Sequence, residues 1–152
     1  MTFRSQSWAA RFGQLGDRAE SVFESVHEGP FIRIGLSRPP FTRDQLLQLP
    51  VRERHRPDYL TPTGYVEVKG IGREGIVRLK VDELDALKWW ETLHPVQVFI
   101  YNSHRNEWAL APLAHFAKLI NKGAATLGHY AEGKAYFAIP RKAVSDLWTP
   151  AP

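Results

Sequence analysis

The 152-residue chain contains no cysteine. That excludes disulfides, a thiol nucleophile and cysteine-ligated zinc. No segment approaches the ~20 apolar residues of a membrane span, and the first residues lack the apolar run of a secretory leader. A cytoplasmic protein with no membrane partner is expected. The six histidines include no close metal-ligand pairing such as His-Glu-x-x-His. Gly70-Ile71-Gly72-Arg73-Glu74-Gly75 lacks the Lys-Ser/Thr ending of a nucleotide-binding loop. It reads as a turn whose glycines permit close backbone approach.

What is present suits a folded globule: 43% of residues are hydrophobic and 12% aromatic. The length predicts one domain over residues 1–152, large enough for a real core. A net charge of +4 with a pI of about 9.5 is mildly basic. The distribution says more than the total. Arg52, Arg54, His55 and Arg56 crowd before Pro57-Asp58, and Arg73, Arg78 and Lys80 follow Lys69. Two basic flanks around an acidic centre are suited to phosphate contacts with a nucleic acid.

That centre carries the most chemistry. Tyr65-Val66-Glu67-Val68-Lys69 alternates and predicts a strand. Glu67 and Lys69 then share a face, and the valines share the other. Thr61-Pro62-Thr63-Gly64 is a turn signal. An even-numbered turn pairs Leu60 with Tyr65 and sets Asp58 directly opposite Glu67. Like charges so placed destabilise a sheet. A divalent cation would convert that penalty into a chelate, and Mg²⁺ or Mn²⁺ prefers such hard oxygen ligands. A bound ion would polarise a phosphodiester and activate water, with the Lys69 ammonium beside it. A slip of one residue would send Asp58 to the other face.

Pro57-Asp58…Glu67-Val68-Lys69 resembles the signature of the PD-(D/E)XK nuclease superfamily. The resemblance covers about residues 14–113. It implies an α/β, restriction-endonuclease-like core: a central mixed β-sheet flanked by helices. A helix at 16–28, a strand at 31–36, the hairpin, a helix at 81–93 and a strand at 96–101 fit that order. A small strand–helix extension over about 114–152 would complete the chain. The resemblance further implies a metal site of Asp58, Glu67 and the Val68 backbone carbonyl, with Glu20 from the first helix as an added acid. Asp58, Glu67, Lys69 and Glu20 would be the catalytic set. Arg52, Arg54, Arg56, Arg73, Arg78 and Lys80 would contact DNA.

The expected activity is a Mg²⁺- or Mn²⁺-dependent DNA endonuclease. Its compact size, helical acid and basic flanks are similar to Holliday junction resolvases, which act as homodimers on four-way junctions in recombination and repair. Alternatives are a restriction- or repair-type nuclease on linear DNA, an RNA-directed nuclease, and a non-catalytic DNA-binding protein on a nuclease fold.

Elsewhere the pattern predicts scaffold. Leu84, Leu87, Trp90 and Leu93 form a helical stripe, and Asp82 and Glu83 suit the N-terminal turn of that helix. Trp89 lies off that stripe; packing in a core is the default expectation, with stacking on a base or a place in a dimer interface as alternatives. Residues 102–106 predict a hairpin turn. Two strands, ending at Pro112 and Pro140, each lead into a helix with Pro in its first turn. The stretch 37–56 is long and non-periodic, with a short helix expected at 43–49.

Overall fold

The computed structural model describes residues 8–36, 41–146 and 148–152, with side chains described from residue 16 onward. Pro39 and Pro40 of the long non-periodic stretch lie outside the described residues.

The hairpin that defines the site sets the sheet. Strand β2 (Tyr59–Thr61) pairs antiparallel with β3 (Gly64–Ile71), with Leu60 opposite Tyr65 and Thr61 opposite Gly64. The two-residue turn is closed by the Thr61 hydroxyl, which donates to the Gly64 carbonyl at 2.9 Å. Gly64 has φ +140°, and a Cβ there would sit 2.3 Å from the Pro95 carbonyl oxygen. Only glycine satisfies both conditions.

From β3 the chain runs through β4 (Ile76–Lys80) and helix α4 (Val81–Glu91) into β5 (Val96–Asn102), which pairs parallel to β3. A helix is the usual way to join parallel strands. β5 turns back antiparallel into β6 (Glu107–Pro112). With β1 (Ile32–Arg33) and β9 (Thr149–Pro150) at the edges, the order is β1-β2-β3-β5-β6-β9. The fold is therefore mixed α/β, with a central mixed sheet flanked by helices.

The two-residue strand period divides the core. On one face, Val66, Phe99 and Tyr101 pack with Ala19 and Phe23 of helix α1 (Trp8–Val26). On the other, Tyr65, Ile71, Val96, Val98 and Ile100 pack with Leu84 and Leu87 of α4 and with helix α5 (Leu113–Asn121). Glu67 and Lys69 are in phase with Tyr65 and Ile71. Two ionisable side chains thus interrupt an otherwise apolar row beneath α4.

Several expectations need correction. The first strand is only Ile32–Arg33. Beyond it, the amides of Ile34 and Gly35 both donate to the Asp58 carbonyl, at 2.9 and 3.1 Å, so the chain bends around Asp58 instead of extending the ladder. Strand β4 was not expected. It pairs with β8 (Ala135–Pro140), which pairs with β7 (Thr126–His129), forming a second, three-stranded sheet. Leu93 does not complete the helical stripe: α4 ends at Glu91, and Leu93 is 50% exposed. Pro112 and Pro140 stand at the N-cap positions of α5 and α6 (Arg141–Val144), one residue before the first turn. The long stretch holds α2 (Arg43–Leu47) and α3 (Val51–Arg54). Among the described residues, no helix is long and apolar enough to cross a membrane.

Candidate functional site

The β2–β3 ladder stops at Tyr59 opposite Val66. The next step of the same register sets Asp58 across from Glu67. Here the Asp58 side chain replaces the backbone: its Oδ2 accepts the Val68 N–H at 2.7 Å. Its main-chain carbonyl is held by Ile34 and Gly35. Asp58 is therefore fixed at both ends, and Gly35 lies so close that a Cβ there would be 2.9 Å from Asp58 Oδ1.

Glu67 is buried. Its Oε1 is 3.6 Å from Lys69 Nζ, while its Oε2 is buried without a hydrogen-bond partner among the described residues. Leaving a buried carboxylate oxygen unpaired is costly. Lys69 instead donates to Glu83 of α4, a residue whose other oxygen accepts the Lys80 N–H at 3.3 Å. Three carboxylates, Asp58, Glu67 and Glu83, thus surround one ammonium.

The electrostatics follow from that imbalance. Burial, with the charges of Glu20 and Glu83 adding to it, pushes Asp58 up to about 7 against the Val68 hydrogen bond and Lys69. Burial and the facing Asp58 raise Glu67 well above the usual carboxylate range. Burial alone would lower Lys69, but Glu83, Glu67 and Asp58 hold it above its ordinary value. Burial would raise Glu83, yet Lys69 wins and keeps it low. The pair Lys69–Glu83 is charged, while Asp58 and Glu67 compete for one negative charge too many.

Glu20 sits on α1, beside Ala19 and on the opposite face of the sheet from Glu67. It is 7% exposed, and its charge reaches Asp58. Glu24, one turn on, is committed elsewhere: it accepts from the Tyr59 hydroxyl at 2.8 Å and from Arg33 Nη2 at 2.6 Å. The structure thus separates Glu20 from Glu24. Among the described residues, no group of three or more His, Asp or Glu is preassembled as a metal site. Asp58 and Glu67 are close enough to raise the Glu67 carboxyl by their mutual charge, and Glu83 is paired with Lys69.

Glu83 is the residue that sequence reasoning missed. It reads as an ordinary acid in a first helical turn. Its position three residues after Lys80, the N-cap, was the available signal. Around it, His55 Nε2 lies 3.6 Å from Asp82, and Lys134 lies 3.6 Å from the other Asp82 oxygen. Burial lowers the His55 pKa against the pull of Glu83 and Asp82.

The basic residues divide. Arg52 lies over Trp89, with its guanidinium carbon 3.7 Å from the ring centroid. Arg56 is ion-paired with Glu53 at 2.5 Å, and Arg78 with Glu74 at 2.7 Å. Arg54 is half-buried, and Lys80 approaches Tyr130 at 5.6 Å. Arg73 is exposed at the tip of the β3–β4 turn. Trp89 does not enter either core, contrary to expectation; it supports Arg52 at the surface between α3 and α4.

Neither a protein-family model nor a curated protein matches the chain. Among solved structures, a nuclease from a fusselovirus is similar over 99% of this chain and 88% of its own, at 9% identity and a TM-score of 0.46. The functional reading rests on the site itself.

Proposed function

We propose that the protein is a divalent-metal-dependent DNA nuclease of the PD-(D/E)XK type. The observation that carries this reading is the pair Asp58–Glu67: two carboxylates, one with an unpartnered buried oxygen, facing each other across a hairpin with Lys69 beside them. Hard oxygen donors with surplus negative charge fit Mg²⁺ or Mn²⁺. Asp58 and Glu67 would hold the ion. The Val68 carbonyl is on the strand edge that its N–H marks, where β2 has ended, and suits a third ligand. Glu20 would add its charge from α1. A bound ion would supply Lewis-acid polarisation of the phosphodiester and a more acidic water.

The chain's own residues do the rest. Lys69 keeps its proton and offers a fixed cation near the developing negative charge of the phosphate. Glu83 holds the Lys69 ammonium in place. Arg52, Arg54, Arg56, Arg73, Arg78 and Lys80 supply the electropositive approach for the DNA backbone. Branched DNA such as a four-way junction, cut by a homodimer, is the finer form of the proposal.

One observation favours a second reading, a non-catalytic DNA-binding protein. The Lys69 charge is already paired with Glu83. A cleavage panel over junction, flap, linear and single-stranded DNA in Mg²⁺ or Mn²⁺ separates the two. Metal-dependent cutting that is lost in Glu67→Ala, with DNA binding retained, supports the nuclease. No cutting of any substrate supports the binding protein, and equal cutting of linear and junction DNA rejects branch selectivity.

A further inference from the structure

The surface between α3 and α4 carries aromatic and cationic groups that the metal site does not use. Helix α3 leads directly into Pro57-Asp58, and α4 carries Glu83 at its start. Arg52 of α3 lies over Trp89 of α4, with its guanidinium carbon 3.7 Å from the ring centroid. Trp90, next in sequence, meets Trp89 edge-on at 5.3 Å. It fixes the two helices by donating its indole N–H to the Arg52 carbonyl at 3.0 Å. Arg56 stands 5.8 Å from the Trp90 ring.

The two tryptophans differ in role. Trp90 packs against the core, while Trp89 belongs to neither core. Trp90 and its hydrogen bond already join α3 to α4. The Arg52–Trp89 stack is therefore not needed for that joint, and Arg52 itself is exposed. The Trp89 indole is half-buried, with Arg52 over its ring; a nucleobase taking the place of the guanidinium gains a π-face to stack on and leaves the displaced cation for the adjoining phosphate.

Trp89 also lies on the same helix as Glu83, six residues on, a rise of about 9 Å along its axis.

We infer that Trp89, with Arg52, stacks an unpaired base of the DNA substrate, so that the enzyme favours strands with a single-stranded or splayed segment next to the cleavage point. The inference rests on the nuclease reading and names the feature of the substrate that this site would select. A base in a continuous duplex keeps its own stacking neighbours and gains nothing from the indole.

The test is binding of a fluorescein-labelled single strand, and of a blunt duplex of the same sequence, by the full chain in EDTA. Trp89→Ala should weaken single-strand binding more than duplex binding, by about fivefold to a hundredfold, the worth of one stacked base. Trp89→Phe, which keeps a ring, should regain most of the difference. Equal loss on both substrates, no loss on either, or a Phe variant as weak as the Ala variant would overturn the inference while leaving metal-dependent cleavage of duplex DNA intact. Wild-type protein that binds neither DNA overturns both readings. A surface used for a protein partner would give the no-loss result.

Discussion

Replacing Asp58 by Asn should stabilise the metal-free protein near neutral pH, and the gain should vanish in acid. Asn retains an oxygen for the Val68 N–H and removes one of two facing charges. In the folded protein, burial and the nearby acids push Asp58 from 3.8 up to about 7. The unfolded chain releases that proton near the ordinary value. Between the two, the folded state binds more protons, so stability falls as pH rises. The direction is the reverse of that for a salt-bridged carboxylate. A gap of about three pH units is worth about 4 kcal/mol at most. Asp58 keeps some solvent access, which screens its charge and reduces the expected gain to about 1–2 kcal/mol. For a domain of this size that corresponds to about 2–8 °C in Tm. Thermal melts of both proteins in EDTA at pH 4.5 and pH 8 measure it. D58N should melt higher at pH 8, and the two should converge at pH 4.5. Added Mg²⁺ or Mn²⁺ should raise the wild-type Tm and leave D58N nearly unchanged. A D58N protein less stable than wild type at pH 8, or a gain independent of pH, would refute the view that burial and the surrounding acids hold the Asp58 carboxyl above its ordinary value.

Three other outcomes follow from particular contacts. Glu83→Gln removes the anion that holds Lys69; cleavage should fall by up to about 100-fold through misplacement of the ammonium, with cation-induced stabilisation in melts retained. Gly35→Ala drives a Cβ to 2.9 Å from Asp58 Oδ1 and 3.0 Å from its Cα. It should cost about 1–3 kcal/mol in urea unfolding and weaken Mn²⁺ binding in titration calorimetry. Glu107 is held below its ordinary range first by its hydrogen bond to Arg141. The stability this supplies is present above the unfolded value of 4.5 and is lost as pH falls through the lower folded value. Glu107→Gln should therefore be less stable than wild type at pH 7, by a margin that closes in acid denaturation.

The hairpin was legible because its information is local. Parity from Pro62 and Thr63 fixes Leu60 against Tyr65, and hence Asp58 against Glu67, with no distant residue involved. Helix α4, strand β5 and the turn at 102–106 follow from periodicity in the same way. What escaped depends on distant partners. Ile76-Val77-Arg78-Leu79-Lys80 alternates, but it is a strand because Val77 meets Ile139. Glu83 looks like a dipole-favoured acid until β3 and α4 are packed together. Trp89 has the composition of a core residue, and only the placement of α3 gives it Arg52 as a neighbour. For the residues expected to contact DNA, sequence gives the charge but not that Glu53 and Glu74 already pair with Arg56 and Arg78.

The second sheet has a consequence for the order of assembly. The Asp58–Glu67 hairpin closes within about a dozen residues and needs only itself and its neighbours. Lys69 acquires its anion only once α4 is anchored. The strand leading into α4 pairs with residues of β8, Lys80 with Tyr136 among them, and Asp82 is tied to Lys134. Loop closure over such a distance is the slow part of folding. During synthesis, the acidic half of the site would therefore form early and remain without its ordered cation until residues 135–140 emerge. A chain cut after α5 would keep every letter of the motif and lose the β8 pairing that flanks the start of α4. The C-terminal strand β8 thus buttresses, through β4, the helix that presents Glu83 to Lys69, although it supplies no residue of the site.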